Sequence, residues 1–309
     1  MFKTFPEFSK LTLADRQEYE AFIKDFPPVS DISFVNLMLW WDTLGGLALS
    51  RLNDNLVVSY WIPGDEVHSG LSLIGVNKVD ESICAIFDHL REKGEEPRLI
   101  NVPEFVANST RYPDLFRFLA GRGDDEYVIS LAKFADLERL PLYTRTRIRR
   151  FIRENGKNNL RVEKLDLAKA ETRRLLLDCA KSWPLKGIND LGKLERGVLP
   201  STIANSTNLG LQALGLFVDG EIQAYCLYFA PNDPRYVIVP HARANYDMPR
   251  LFDYMVHAFS EYLVRQGVEY VNIDADNGSV KLRALKIALK PDNFFRKYAI
   301  EPRGKSKVI

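Results

Sequence analysis

The sequence predicts an α+β protein built from two similar units in tandem. One observation behind this is a repeated passage in which a helix ends near a glycine and leads into an apolar strand. It reads Arg91, Gly94 and LINV at 99–102, and again Arg265, Gly267 and YVNI at 270–273. The other is size and composition: 309 residues, 46% apolar and 27% charged, are enough for two domains and show no disordered or collagen-like bias. The units are expected over residues 1–135 and 136–309.

The elements follow from local signals. Thr12 caps a helix expected over 13–26, closed by Pro27-Pro28. Ser30-Asp31-Ile32-Ser33 offers caps for an almost wholly apolar helix over 34–41, which makes the pair Trp40-Trp41 core. A hairpin turning at Asn53-Asp54-Asn55 comes next, then a strand at 70–75, a helix over 83–93 and a strand at 98–102. Pro103 begins a helix ending near Asn108, and Pro113 begins another over 115–120, before a strand at 126–131. The second half opens with a basic helix over 143–155, a strand at 160–164 and a long helix over 167–183. Residues 187–208, rich in Gly, Asn and Ser, read as a polar loop. A hairpin turning at Asp219-Gly220, a strand at 236–240, a helix over 250–265 and the strand from Tyr270 complete the order.

Composition narrows the chemistry. Cys84, Cys179 and Cys226 are far apart and odd in number, which argues against a disulfide framework and suits a reducing cytoplasm. Four scattered histidines show no metal-ligand spacing with cysteine, so no metal is expected. No charged segment followed by an apolar core opens the chain, and no apolar run approaches the ~18 residues of a membrane span. A formal net charge of +1 conceals an asymmetry: residues 1–140 hold 14 Lys/Arg against 23 Asp/Glu, and residues 141–309 hold 28 against 18. Two surfaces that attract each other account for this, and so does a second half that meets a phosphate, a nucleic acid or an anionic headgroup.

The segment 270–298 concentrates candidate site residues. Asp274 and Asp276 alternate at a strand end and are expected on one side. One of them serves as a general base for an amine, or the ionised pair as a ligand for an ammonium group; an Asx turn completed by Asn277-Gly278 is the bland reading. Arg283, Lys286 and Lys290 fall at i, i+3 and i+7 on one helix face, a phosphate-binding stripe or a salt-bridge set. Residues 281–309 carry nine cations against Asp292 and Glu301, and the helix from Tyr143 adds Arg145, Arg147, Arg149, Arg150, Arg153 and Lys157 against Glu154. These surfaces suit RNA or lipid phosphates. The glycine loop of an acyl-CoA acetyltransferase is missing from RANYDMP at 243–249, although Arg243, Asn245 and the amides before the next helix can hold a phosphate. No nucleophile elbow is present. His241, at a strand end, reads as an acid/base group or as a structural histidine.

Three motifs in order resemble a known family. Ser30-Asp31-x-Ser33-Phe34-x-Asn36-Leu37-x-x-Trp40 is similar to the S-E-x-S-F-x-N-L-x-x-W opening of the phosphatidylglycerol lysyltransferase C-terminal-like proteins. Asn272-x-Asp274-x-Asp276-x-Gly278, Leu282-Arg283-x-x-Lys286, Pro291 and Lys297-Tyr298 resemble that family's closing segment, and Arg145, Arg147, Ile148 and Phe151 its basic helix. The resemblance implies two tandem GNAT-like domains, mixed sheets flanked by helices, and passage of an aminoacyl group from a charged tRNA to an amine or hydroxyl. Two departures stand out: His241-Ala242-Arg243-Ala244 replaces an expected acidic strand end, and Met248-Pro249 replaces an expected glycine. The expected enzyme is a soluble cytoplasmic acyl- or aminoacyltransferase. Its donor is aminoacyl-tRNA or acyl-CoA, and its acceptor a small molecule, a peptide or a lipid headgroup. Asp274 and Asp276 are its catalytic residues, and Arg243, Asn245, Arg283, Lys286, Arg145 and Arg147 bind the anionic donor. The alternatives are a non-catalytic binder of RNA or anionic lipid and an acyl-CoA-dependent N-acetyltransferase.

Overall fold

The computed structural model describes residues 2–40, 47–61, 69–183 and 191–304. Trp41, residues 187–190 of the expected loop, and Lys305 and Lys307 of the basic tail lie outside them. In chain order the first elements are β1 (Lys3–Thr4), β2 (Ser9–Lys10), α1 (Arg16–Ile23), α2 (Phe34–Trp40), β3 (Leu47–Leu52), β4 (Asn55–Trp61) and β5 (Ser69–Ile74). There follow α3 (Val79–Glu92), β6 (Leu99–Pro103), α4 (Glu104–Ala107), β7 (Phe116–Ala120), β8 (Glu126–Ser130), α5 (Ala132–Ala135), α6 (Leu142–Asn155) and β9 (Leu160–Leu165). The rest are α7 (Ala170–Ser182), α8 (Leu191–Ala204), β10 (Gln212–Val218), β11 (Glu221–Phe229), β12 (Tyr236–Ala244), α9 (Leu251–Arg265), β13 (Tyr270–Ala275), α10 (Val280–Ala288), β14 (Asn293–Phe295) and β15 (Lys297–Pro302).

Two units result, and the division does not fall at one point of the chain. Unit 1 comprises Met1–Glu126, Ala275–Ser279 and Phe294–Ile309; unit 2 comprises Tyr127–Asp274 and Val280–Asn293. One sheet has the order β1-β3-β4-β5-β6-β15-β7, with β2 on β3; the other runs β14-β8-β13-β12-β11-β10-β9. The last strand, β15, lies antiparallel between β6 and β7. In unit 1, α3 buries Val79, Ile83, Ile86, Phe87 and Leu90, an i, i+4, i+7 stripe, against Val57, Leu73, Leu99 and Ile300 of the sheet. In unit 2, Leu251, Met255, Phe259 and Leu263 of α9 cover Leu214, Ala224, Val237 and Val271 together with Phe151 of α6.

Three local expectations are corrected. The helix over 13–26 is a 3₁₀ turn at Leu13–Asp15 followed by α1, because the Asp15 carboxylate accepts the Thr12 N–H at 2.8 Å and ties the first turn tightly. The helix expected over 115–120 is the strand β7, held in that form by its ladder with β15 far along the chain. The expected polar loop contains α8, with Val198 and Ile203 buried despite Pro200 within it. Among the described residues no helix is long and apolar enough to cross a membrane. Ile300 is fully buried in the unit 1 core, so Ile300→Ala is expected to cost about 2–5 kcal/mol in urea unfolding. Val264→Ala on the exposed side of α9 should stay within about 0.5 kcal/mol.

Candidate active site

The pairing of β12 fixes where polar groups collect in unit 2. Against β11 it pairs Tyr225↔Arg243 and Leu227↔His241, then Phe229↔Ile238, so β12 gains a residue over its partner. That bulge leaves Ile238, His241 and Arg243 on the face of Tyr225 and Leu227. Val237, Val239, Ala242 and Ala244 turn to the α9 core. Against β13, β12 runs parallel through Tyr236↔Tyr270, Val237↔Val271 and Ile238↔Asn272. Among the described residues this ladder ends there, although β12 continues to Ala244 and β13 to Ala275. The two strands part, and Asn272 shares the face of Ile238.

The face opposite the α9 core therefore gathers four polar side chains where the strands separate. Tyr225, His241, Arg243 and Asn272 are 0, 6, 6 and 0% exposed. Buried polar groups need partners, and each of these side chains has at least one. The Tyr225 hydroxyl lies 2.8 Å from His241 Nε2, and Arg243 Nη1 donates to the Ala242 carbonyl at 2.8 Å. Asn245 follows on the same chain: its N–H donates to the Gln223 carbonyl at 2.8 Å, its Nδ2 to Gln223 Oε1 at 2.9 Å, and its Oδ1 accepts the Asp247 N–H at 3.1 Å. Asn245 thus holds the loop that leads into α9.

The end of β13 is built with equal economy. Asn272 Oδ1 accepts the Asp274 N–H at 2.8 Å, and Asp274 takes φ +65°, a left-handed conformation that Asp tolerates better than most residues. Lys286, one of the predicted phosphate ligands, is only 5% exposed. Its ammonium donates to the Ile273 and Asp274 carbonyls at 2.6 and 2.9 Å and lies 5.6 Å from the Tyr127 ring centroid. It thereby satisfies carbonyls that lose their partners where a strand ends. Half-buried Arg283 is three residues earlier on α10. The left-handed residue breaks the alternation expected to align Asp274 with Asp276. Asp276 belongs to the turn in unit 1, fully buried, and its carboxylate accepts the Gly278 N–H at 3.0 Å. A Cβ on Gly123 would come within 2.7 Å of the Gly278 nitrogen, so that turn sits flush on the glycine.

On α6 the predicted arginines are engaged with carboxylates. Arg145 and Arg149 pair with Glu138, Arg147 Nε bonds Asp253 at 2.6 Å beneath the Tyr143 ring, and Arg150 bonds Glu154 at 2.7 Å. Of the predicted site residues, the structure brings together Asp274 with Lys286, and places Arg243 and Asn245 at one strand end. Tyr225 was not among them; its place depends on register across a bulged hairpin. The Asp219-Gly220 turn marks the hairpin, but the bulges in its strand pairs have no local signature.

The two buried thiols are poor nucleophiles. Burial pushes the Cys226 thiol up to about 12 and the Cys179 thiol up to about 11. Iodoacetamide between pH 7 and 9 should label neither in the native protein and both in urea, read by mass spectrometry. Because these folded values are raised, their contribution to stability is complete below about pH 9 and is lost as pH climbs towards 12. For the strand-end clamp, Lys286→Met is expected to lower stability by about 1–3 kcal/mol, since two carbonyls lose their donor; denaturant titration measures it.

Comparison with known proteins places this geometry. A conserved protein of unknown function from Bacteroides thetaiotaomicron aligns with 98% of this chain and 100% of its own, at TM-score 0.78 and 21% identity. L-PGS from Bacillus licheniformis aligns over 95% and 93%, at TM-score 0.59 and 16% identity. A tandem GNAT protein from the clavulanic acid biosynthesis pathway aligns over 97% and 99%, at TM-score 0.50 and 11% identity. The fold is thus a tandem GNAT-like fold of mixed sheets flanked by helices. Among curated proteins no match was found. The family model for the C-terminal part of phosphatidylglycerol lysyltransferase matches residues 28–288, and the chain belongs to that family.

Proposed function

We propose that the protein is an acyl- or aminoacyltransferase whose chemistry takes place in unit 2, on the polar face where β12 and β13 part. The carrying observation is the set Tyr225, His241, Arg243 and Asn272, fully or almost fully buried at the end of the ladder. Family membership supports transfer as the reaction class. The acceptor nitrogen or oxygen bonds to the donor's carbonyl carbon, and the bond from that carbon to the departing oxygen or sulfur breaks. The proton released by the acceptor passes to the Tyr225–His241 pair, and a proton returns to the leaving group. Arg243 faces the negative charge that develops on the carbonyl oxygen. Asp274, fixed by Asn272 and Lys286, orients an amine acceptor, and Arg283 meets an anionic donor. The finer reading has a lipid headgroup as acceptor, supported by what the matched family is called, and aminoacyl-tRNA as donor, which the motif resemblance implies.

Transfer of labelled acyl or aminoacyl groups from acyl-CoA and aminoacyl-tRNA to amine, hydroxyl and phosphatidylglycerol acceptors tests this. Wild type should turn over one donor, and His241→Gln should lower kcat by about 10²–10⁴ with an unchanged circular dichroism spectrum. Arg283→Ala should raise KM for the donor. No turnover with any donor, or wild-type kcat in His241→Gln, would end the assignment.

A further inference from the structure

The turn after β13 belongs to a different unit from the elements it joins. Ala275–Ser279 is part of unit 1, while Asp274 before it and Val280, the first residue of α10, are part of unit 2. Within unit 2 the two flanks are tied together, since Lys286 of α10 donates to the Ile273 and Asp274 carbonyls. Whatever fixes the turn therefore bears on both flanks through the peptide bond at each end. Those flanks carry Asp274 and Arg283.

The seat of the turn, also in unit 1, is the backbone at Gly123. The Asn277 N–H donates to the Gly123 carbonyl at 2.9 Å. A Cβ on Gly123 would stand 2.7 Å from the Gly278 nitrogen, 3.2 Å from its Cα and 3.5 Å from the Asn277 carbonyl carbon. Close approach of two backbones is what requires glycine here. Neither side of the contact yields easily. Asn277 and Gly278 take φ +49° and +76°, the Asp276 carboxylate accepts the Gly278 N–H at 3.0 Å, and its carbonyl accepts the Ser279 N–H at 2.9 Å. Opposite, the Arg122 guanidinium lies 4.8 Å from the Phe294 ring centroid and bonds Asp125 at 3.3 Å. Gly121 makes the contrast: a Cβ there would meet the Asp124 carboxylate, the end of an exposed side chain that can swing aside.

We propose that Gly123 is a positioning residue of the transfer site, acting through the turn on Asp274 and on Arg283 of α10. What those two residues do rests on the transfer reading; that they shift with the turn does not. Gly123→Ala and Gly121→Ala are compared on the full chain without substrate, by amide exchange and by lysine acetylation, both read by mass spectrometry. In Gly123→Ala, residues 272–278 should exchange about tenfold faster, and buried Lys286 should gain acetylation that wild type lacks. Helix α9 should exchange as in wild type, and Gly121→Ala should match wild type throughout. In the transfer assay, Gly123→Ala should raise KM for donor and acceptor about tenfold with kcat near the wild-type value. Tyr225, His241 and Arg243 stand on β11 and β12, away from the turn in the chain. A merely destabilised protein would instead lose active enzyme, lowering kcat and leaving KM alone. If Gly123→Ala does not fold, Asp276→Ala, which removes the Gly278 acceptor without adding bulk, is read in the same way. Wild-type exchange with an unlabelled Lys286 in the folded variant, or the same changes in Gly121→Ala, overturns the proposal. A wild type that turns over no donor ends the transfer reading instead, and is distinct from those outcomes because exchange and acetylation need no substrate.

Discussion

The ammonium of Lys297 is the constraint on which unit 1 depends. Taking such a group out of water costs several kcal/mol, and only close carboxylates offset it. Asp31 and Glu126 supply them. Glu126 in turn satisfies the N–H groups that open the Ser30–Ile32 turn. Within the turn the Ser33 hydroxyl donates to the Ser30 carbonyl at 2.7 Å, and Asn36 Nδ2 donates to the Ser30 hydroxyl. Every polar residue of Ser30-Asp31-x-Ser33-Phe34-x-Asn36 thus has a bond to make, and the last strand brings the cation that completes the set. Inserting β15 between β6 and β7 is what puts Lys297 there.

Lys286 performs a related task in unit 2. It meets carbonyls rather than carboxylates, and the strand end it secures carries Asp274. Two lysines that a charge count places in one cationic segment, 281–309, are therefore both buried and both bound to this protein's own oxygens. Strand separation at β12 and β13 has the opposite consequence. Where a ladder stops, backbone and side-chain groups need new partners, and an aqueous or ligand-filled gap is the usual provider. That β12 presents His241 and Arg243 on the side away from the α9 core, beside Tyr225, is why the unit 2 face is the candidate site.

Much of the fold was legible because it is written in local periodicity. The apolar stripe of α3, the Asp219-Gly220 turn and the glycines after the helices at Arg91 and Arg265 each mark their element without reference to the rest of the chain. Residues 115–120 failed that reading because FRFLA becomes a strand through pairing with β15, more than 170 residues away, and residues 191–204 because buried Val198 and Ile203 outweigh Gly, Ser and Pro in the same stretch. The candidate site was legible in part. Asp274 and His241 could be named from their positions at strand ends, whereas Tyr225 depends on register across a bulged hairpin.

The arginines of α6 show why a basic sequence is not yet a basic site. Phe151 stacks on Tyr254 at 5.0 Å, and Ile148 is fully buried, so the helix presents its cations outwards as the sequence suggests. There, however, Glu138 takes Arg145 and Arg149, Asp253 takes Arg147, and Glu154 takes both Arg150 and Arg250. Pairs of this exposed kind are worth little each and are screened by salt. They hold the side chains in place without removing the charge surplus of the second half, and a phosphate arriving at α6 has to compete with carboxylates already seated. The buried Arg243 packs in the sheet beside the Tyr225–His241 pair and bonds a backbone carbonyl. The charge on α6 is thus already engaged at the surface, whereas the charge of Arg243 is desolvated and fixed at a strand end.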